Sequence, residues 1–372
     1  MTKSILVLFT YLVNGSMPLR LCRELRRRGM NVVISHYLDA AAGTFTSDPA
    51  DDFRSAGKLI DLRKCSPFHF RHMVERAIDE HKVGLIVQVG CEPLYSVLPA
   101  LRERRPDIRI LDMLFNDVGH VVSHFLFERG IDGVLVESRN MAEYIRRNSE
   151  IEERSVHIVE SGIDIETFEP NKRDIRKGDE LAVGYVGRMS SEKNPRGFVD
   201  AAEAILAQNG SLKFKIFGEG SQAPEVRARV DASRWRRKIS FVGYVEDIRS
   251  AYAQIDVLIV PSTLDGRPAN IMEANACGIP VIATPVGGIP ELIEDGVNGV
   301  LCPLTDTERM AKLLTLWQAE PASFHEARLR ARNAAEERFP RELMMRRYEA
   351  LFASYLGRSL PAYQHQDLKA VV

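Results

Sequence analysis

Short runs rich in Val and Ile alternate along this chain with runs of helical periodicity, and they do so in two successive series. The first contains "SILVLF", "NVVISHY", "GLIVQVG", "IRILDMLF", "GVLVES" and "VHIVESG". The second contains "LAVGYVG", "LKFKIFG", "KISFVG", "VLIVPS" and "PVIATP". Runs that are apolar on both faces predict strands of a parallel sheet covered by helices on either side. Between the series lies "ETFEPNKRDIRKGDE", polar and without periodicity, which reads as a linker. The pattern predicts two doubly wound α/β domains. The expected boundaries are 1–168, a linker at 169–180, 181–340, a final helix at 341–357 and a tail at 358–372.

With 372 residues the chain has the length for two such domains. Fifty Lys and Arg against 51 Asp and Glu leave no charge excess to suggest a polyanionic partner. The basic stretch "SRWRRK" has no RNA-binding pattern around it, so nucleic acid is not an expected partner. The five cysteines lack the paired spacing of zinc sites or a disulfide framework, which suggests a reducing, cytoplasmic setting. "SILVLFTYLV" reads as a buried first strand rather than a signal segment, because a helical pattern follows it directly. The basic run "RLCRELRRR", with Leu19, Leu21 and Leu25, has two readings. One is a helix face over the sheet; the other is a peripheral contact at the inner membrane face.

Chemistry-bearing residues cluster after strands of the second series. Arg188 and Lys193 share the loop "GRMSSEKN", and two cations at a strand end suit a diphosphate. Asp265 and Glu273 flank a loop-to-helix change in "DGRPANIMEANACGIP", after the strand "VLIVPS". Glu273 can accept ribose hydroxyls or stabilise a helix dipole. Amides at the start of that helix favour an anion. Gly218, Gly220 and Ala223 form G-x-G-x-x-A after a strand, with Glu246 further on, a weak dinucleotide fingerprint that raises an NAD-dependent oxidoreductase as an alternative.

Taken in order, "YVGRMSSEKN", "FGEG", "FVGYVEDI", "IDVLIVPS" and "DGRPANIMEANACGIPVIATPVGGIPELIEDGVNGVLCP" resemble the retaining GT-B glycosyltransferases of glycosyltransferase family four. The resemblance implies two Rossmann-like domains facing a cleft, with a last helix that crosses back to the first domain. It implies that Arg188 and Lys193 hold the donor diphosphate and that Glu273 binds the nucleotide ribose. Asp265 takes the first acidic place near the donor sugar. Tyr244 and Val245 flank the base, and Gly266, Asn270 and Ile271 complete the donor site. Gly15 matches the glycine loop after strand one. His120 or Asn116 takes the catalytic place of the first domain, and Glu92 is a candidate acceptor contact. Two departures bear on the sugar pocket: Asp265 stands for the usual Glu, and "GRP" for Gly-Phe-Gly.

The implied reaction moves a sugar from a UDP- or GDP-sugar to a saccharide, lipid-linked or small-molecule acceptor, with no metal and no cofactor. A non-catalytic nucleotide-sugar binding protein is the alternative within the same resemblance.

Overall fold

A computed structural model of the chain describes residues 3–12, 16–39, 50–63, 65–115, 120–170 and 175–357. The chain divides into two compact units, Met1–Glu160 with Met344–Val372, and Ser161–Leu343.

Seven strands build the first unit: β1 (Ser4–Phe9), β2 (Val32–His36), β3 (Leu59–Asp61), β4 (Val83–Val89), β5 (Arg109–Leu114), β6 (Gly133–Val136) and β7 (Val156–Ile158). They form one sheet in the order β3-β2-β1-β4-β5-β6-β7, with every pairing parallel. The two-residue period of a strand sends side chains to opposite faces. Ile5, Val7 and Phe9 of β1 therefore enter one core, and Leu6 and Leu8 enter the other. Both faces are covered, as a parallel sheet requires.

The helix Met17–Arg27 covers one face with Leu19, Leu21 and Leu25, each at most 4% exposed. Those leucines are consumed by the core and cannot enter a membrane. Arg23 and Arg26 pair with Asp52, and Arg27 and Arg28 pair with Glu24. The peripheral-contact reading of this helix thus loses both its apolar face and much of its unpaired charge. Among the described residues no helix is long and apolar enough to cross a membrane. Met344, Met345, Tyr348, Leu351 and Phe352 of the last helix, Arg341–Tyr355, pack into the same core.

The second unit repeats the pattern with β8 (Ala182–Val186), β9 (Lys213–Phe217), β10 (Ile239–Gly243), β11 (Val257–Val260), β12 (Val281–Ala283) and β13 (Gly299–Leu301). Their order is β10-β9-β8-β11-β12-β13, again all parallel. Val183 and Tyr185 of β8 face one core, and Val186 faces the other. Strand order reverses between β8 and β11 here, and between β1 and β4 in the first sheet.

The stretch 169–180, read as a linker, is part of the second unit. Ile175 is buried in its core, and the Arg332 guanidinium binds the Phe168 carbonyl at 2.8 Å. The described residues of this stretch other than Ile175 are exposed or partly exposed, which fits their polar composition. The chain enters this unit beside the place where it leaves. The Ile163 amide donates to the Phe339 carbonyl at 2.9 Å, and the Arg341 amide donates to Ile163 at 2.7 Å. A Cβ at Gly162 would lie 2.8 Å from the Pro340 carbonyl oxygen, so this close approach needs glycine.

His157 on β7 meets the Tyr355 hydroxyl at 2.7 Å, tying the last helix to the edge of the first sheet. Burial holds its imidazole down to about 4, against 6.5 for a free side chain. The unfolded chain therefore takes up this proton first, and the contribution is intact above pH 6.5 and lost as pH falls toward 4. His157→Gln should flatten the fall of melting temperature over that range relative to the parent chain. Thermal melts at half-unit pH steps check it; parallel curves for the two proteins would contradict the assignment.

Candidate functional site

In open parallel sheets, ligands bind beyond the carboxyl ends of strands where their order reverses. In the second unit that place holds a cavity of about 210 Å³. Its walls are the end of β8 with Gly187 and Arg188, the end of β11 with Pro261 and Ser262, and Pro268, Ala269, Asn270 and Glu273. Lys193, Ile248 and Tyr252 complete it.

Three loops are cross-linked around this cavity. The loop after β8 is fixed to the end of β11 by Asn194, whose amide donates to the Pro261 carbonyl at 3.1 Å. Asn194 adopts a left-handed conformation, φ 52°, and its side-chain oxygen caps the helix Pro195–Gln208 through the Gly197 amide. The Thr263 amide donates to the Glu192 carbonyl at 2.8 Å from the other side. Lys193 Nζ then reaches Asp265 Oδ2 at 2.6 Å, and the Ser262 hydroxyl donates to the same oxygen at 3.0 Å. Asp265 is 8% exposed, so its charge is held by a cation and a hydroxyl rather than by water. The third loop follows β12. The Gly288 amide donates to the Asp265 carbonyl at 3.0 Å. Gly287, at φ 54°, lies so close to that carbonyl that a Cβ would collide with it.

Arg188 is the more exposed cation of the pair. Its side chain is 70% exposed and touches Glu192 at 3.2 Å, while its carbonyl is fixed by the Tyr185 hydroxyl at 2.7 Å. Asn270 donates to the Val186 carbonyl at 2.8 Å and so joins its helix to the end of β8. Glu273 receives the Tyr252 hydroxyl at 2.7 Å. The cavity therefore presents two cations on one side and a tethered carboxylate on another. Cations suit phosphate oxygens, and a carboxylate suits paired hydroxyls.

Residues 180–318 match the family described as glycosyl transferases group 1. The second unit carries a group 1 glycosyl transferase domain. The amylovoran biosynthesis glycosyltransferase AmsK of Erwinia amylovora is 27% identical over 199 residues, 51% of this chain and 49% of that protein. The UDP-Gal:alpha-D-GlcNAc-diphosphoundecaprenol alpha-1,3-galactosyltransferase of Escherichia coli is 26% identical over 175 residues, 44% and 45% of the two chains. The matched stretches thus span about half the length of these relatives. Among solved structures, Anabaena HepE in complex with UDP superposes with a TM-score of 0.78, at 17% identity, over 94% of this chain and 100% of that one. The shared fold is the two-unit α/β fold of GT-B proteins.

Within the group 1 domain, Arg188, Lys193, Asn270 and Glu273 line one cavity, and Asp265 is bonded to one of its cations. Other expected donor residues stand elsewhere. The Ile271 side chain is fully buried in the core. Its amide donates to the Pro268 carbonyl at 3.3 Å, so the anion-ready amides do not include this one. Gly266 lies in the loop beside Asp265, outside the cavity wall. Tyr244 is 64% exposed, and Val245 packs against the core; neither lines the cavity, whereas Ile248 and Tyr252 just beyond them do. The helix spans Ala269–Ala276, which puts Glu273 in the second turn. The dipole effect is confined to the first turn, so helix-dipole stabilisation does not account for this carboxylate.

The dinucleotide fingerprint has a structural reason. Gly218 and Gly220, at φ 131° and 145°, press against the carbonyls of Gly187 and Met189, where any Cβ would clash. The Met189 amide donates to the Glu219 carbonyl at 2.7 Å. These glycines support the Arg188 loop, and β9 is not at the reversal of strand order. Glu246 is exposed. Among the described residues this fingerprint forms no dinucleotide site.

In the first unit, Gly15 and Asn116 lie outside the described residues. His120 precedes the helix Val121–Phe127, its Nε2 3.3 Å from the Met113 carbonyl. A Cβ at Gly90 would lie 3.5 Å from its Nδ1 and 3.2 Å from the Thr10 hydroxyl, which itself donates to the Gly90 carbonyl. The ring thus stands beside the ends of β1 and β4, the order reversal of its own sheet. Glu92 begins the helix Glu92–Arg104 and is exposed. Sequence reasoning missed the anchor beneath His120. Asp112 Oδ2 takes the Tyr95 hydroxyl at 2.5 Å and meets His124 Nδ1 at 2.9 Å, all three buried. It missed Tyr252, Ser262 and Asn194 as well; Asn194 alone carried a signal, standing between the expected loop and Pro195.

Lys193→Met removes the cation from a buried carboxylate and should lower stability by about 2 kcal/mol. Adding Asp265→Asn should recover most of that loss, because the amide needs no counter-charge. Chemical denaturation of the two variants checks it. A double variant no more stable than Lys193→Met would show that the pair does not hold the loops.

Proposed function

We propose that the protein is a retaining glycosyltransferase that moves a sugar from a UDP- or GDP-sugar to a saccharide, lipid-linked or small-molecule acceptor. The observation that carries this is the joint presence of Arg188, Lys193 and Glu273 on one cavity at the β8/β11 reversal. Names of the similar proteins point the same way: HepE was solved with UDP, and the E. coli relative uses UDP-Gal and a diphosphoundecaprenol-linked acceptor.

Arg188 and Lys193 bind the diphosphate, and Glu273 accepts from the ribose hydroxyls. In the transfer, the bond between the anomeric carbon and the phosphate oxygen breaks, and its electron pair stays on the phosphate. The acceptor oxygen bonds the same face of the sugar, and its proton passes to the departing phosphate oxygen. The two cations stabilise charge as it develops there, which is where preorganised groups lower a barrier. No side chain becomes covalently bound, and the charge is met by side chains rather than by a metal. In this reading Asp265 and Gly266 serve the sugar end of the donor, while Tyr244 and Val245, which do not line the cavity, carry no base contact. His120 takes the catalytic place of the first unit.

Arg188→Ala and Lys193→Ala should each lower turnover roughly 100-fold, the scale for losing one preorganised charge stabiliser. Glu273→Gln keeps the shape of the side chain and should weaken nucleoside diphosphate binding by about 1.5–3 kcal/mol, the scale for a hydrogen bond to a charged group. Calorimetry with UDP and GDP, and a screen of their sugars for transfer or hydrolysis, tests both. A protein that binds neither nucleotide would overturn the proposal. Tight binding with no turnover of any donor would favour a non-catalytic nucleotide-sugar binding protein.

A further inference from the structure

We infer that Tyr252 is the positioning residue for Glu273, and that through it the site selects ligands by their ribose hydroxyls. The inference rests on the nucleotide-binding reading of the cavity. Tyr252 ends the helix Ile248–Tyr252, which Asp247 caps by accepting from the Arg249 amide at 3.0 Å. It is 1% exposed and sits in the core beside Ile255, Ile271 and Met272. Phe168 meets its ring edge-on, with centroids 6.0 Å apart at 77°. The ring therefore has one available pose. Its hydroxyl donates to Glu273 Oε2 at 2.7 Å, and both residues line the cavity.

Burial, and then the charge of Glu273, push the phenol far above its ordinary value near 10. It keeps its proton throughout any working pH range and remains a donor. A glutamate has three side-chain torsions, and each must be fixed for a carboxylate to meet two hydroxyls at once. In a cavity that also holds Arg188 and Lys193, an untethered carboxylate is drawn toward the cations that the phosphates need. The fixed O–H dipole of Tyr252 opposes that drift and holds one carboxylate oxygen at the wall. Tyr252 also borders a second cavity, about 650 Å³, together with Phe168 and Cys277. Truncation to Ala would open the wall between the two, so Tyr252→Phe is the informative change: it removes one oxygen and keeps the ring.

The experiment is calorimetry on the full chain with UDP and GDP, their 2′,3′-dideoxy forms and inorganic pyrophosphate. Parent, Tyr252→Phe, Glu273→Gln and the double variant are compared. Tyr252→Phe should weaken binding of the preferred ribonucleotide roughly tenfold, the loss expected for one hydrogen bond to a charged group. It should leave the dideoxynucleotide and pyrophosphate within twofold, and it should have no further effect beside Glu273→Gln. Equal weakening of all three ligands would mark Tyr252 as structural only and overturn the inference. So would a Tyr252→Phe protein with parental ribose selectivity while Glu273→Gln loses it; in that case the role of Glu273 stands. If Glu273→Gln leaves ribose selectivity unchanged, the ribose role of Glu273 fails and the inference on Tyr252 falls with it; if the parent binds neither UDP nor GDP, the nucleotide-binding reading itself fails.

Discussion

The Lys193–Asp265 contact is the joint on which the rest of the site depends. Strands of a parallel sheet end side by side, but the loops that leave them have no reason to stay together. Here the loop after β8 brings the ammonium, the loop after β11 brings the carboxylate, and the glycine turn after β12 holds the backbone of Asp265. One buried ion pair with a supporting hydroxyl converts three loops into one wall. Its cost is desolvation of two charges, which good geometry and added hydrogen bonds offset. The same cation that is expected to meet phosphate is thus already placed, while Arg188, 70% exposed, is held among the described residues only by its surface pair with Glu192. Placement and reach are divided between the two cations.

The architecture was legible because it rests on period and composition. Each of the quoted apolar runs forms a strand, and the doubly wound reading holds for both sheets. The strands β3 and β13 were not read from the sequence; each is a three-residue edge strand that is only partly buried. Polar composition marks exposure, and an exposed segment can still belong to a compact unit; the second unit here begins at Ser161, before the polar stretch. At the site, residue type and strand-end position found Arg188, Lys193 and Glu273. The residues that hold them, Tyr252, Ser262 and Asn194, carry no charge. Their roles come from tertiary contacts that no local spacing encodes.

The two sheets treat their order reversals alike. In the second, the supporting groups are an ion pair and glycine turns. In the first, His120 stands over the reversal on a helix whose next turn carries His124, locked to Asp112 on β5. Asp112 also takes the Tyr95 hydroxyl, so one buried carboxylate joins a strand and two helices. A buried polar network of this kind is costly when partly unsatisfied, and here Asp112 Oδ1 and His124 Nε2 lack partners among the described residues; what it gives in return is a tie between β5 and the helix that His120 precedes. A histidine in solvent needs no such foundation, and its presence supports a positional role for the ring.

The two departures from the family pattern near the sugar place have different consequences. Arg267, where Phe is common, is 9% exposed and does not line the cavity. Its Nε donates to the Ser161 carbonyl at 3.3 Å, and its guanidinium lies 6.0 Å from the Phe339 ring centre. It ties the Asp265 loop to the segments where the chain enters and leaves the second unit, a task that Phe could not perform through hydrogen bonds. Asp265 is different in kind. A carboxylate one methylene shorter than Glu, already bonded to Lys193 and Ser262, stands further back from the ligand space. In the proposed donor site, a shorter acid at this place leaves more room at the sugar end than a glutamate would. Donor choice in this chain should depend on what fills that room, and Asp265→Glu is the change that would close it.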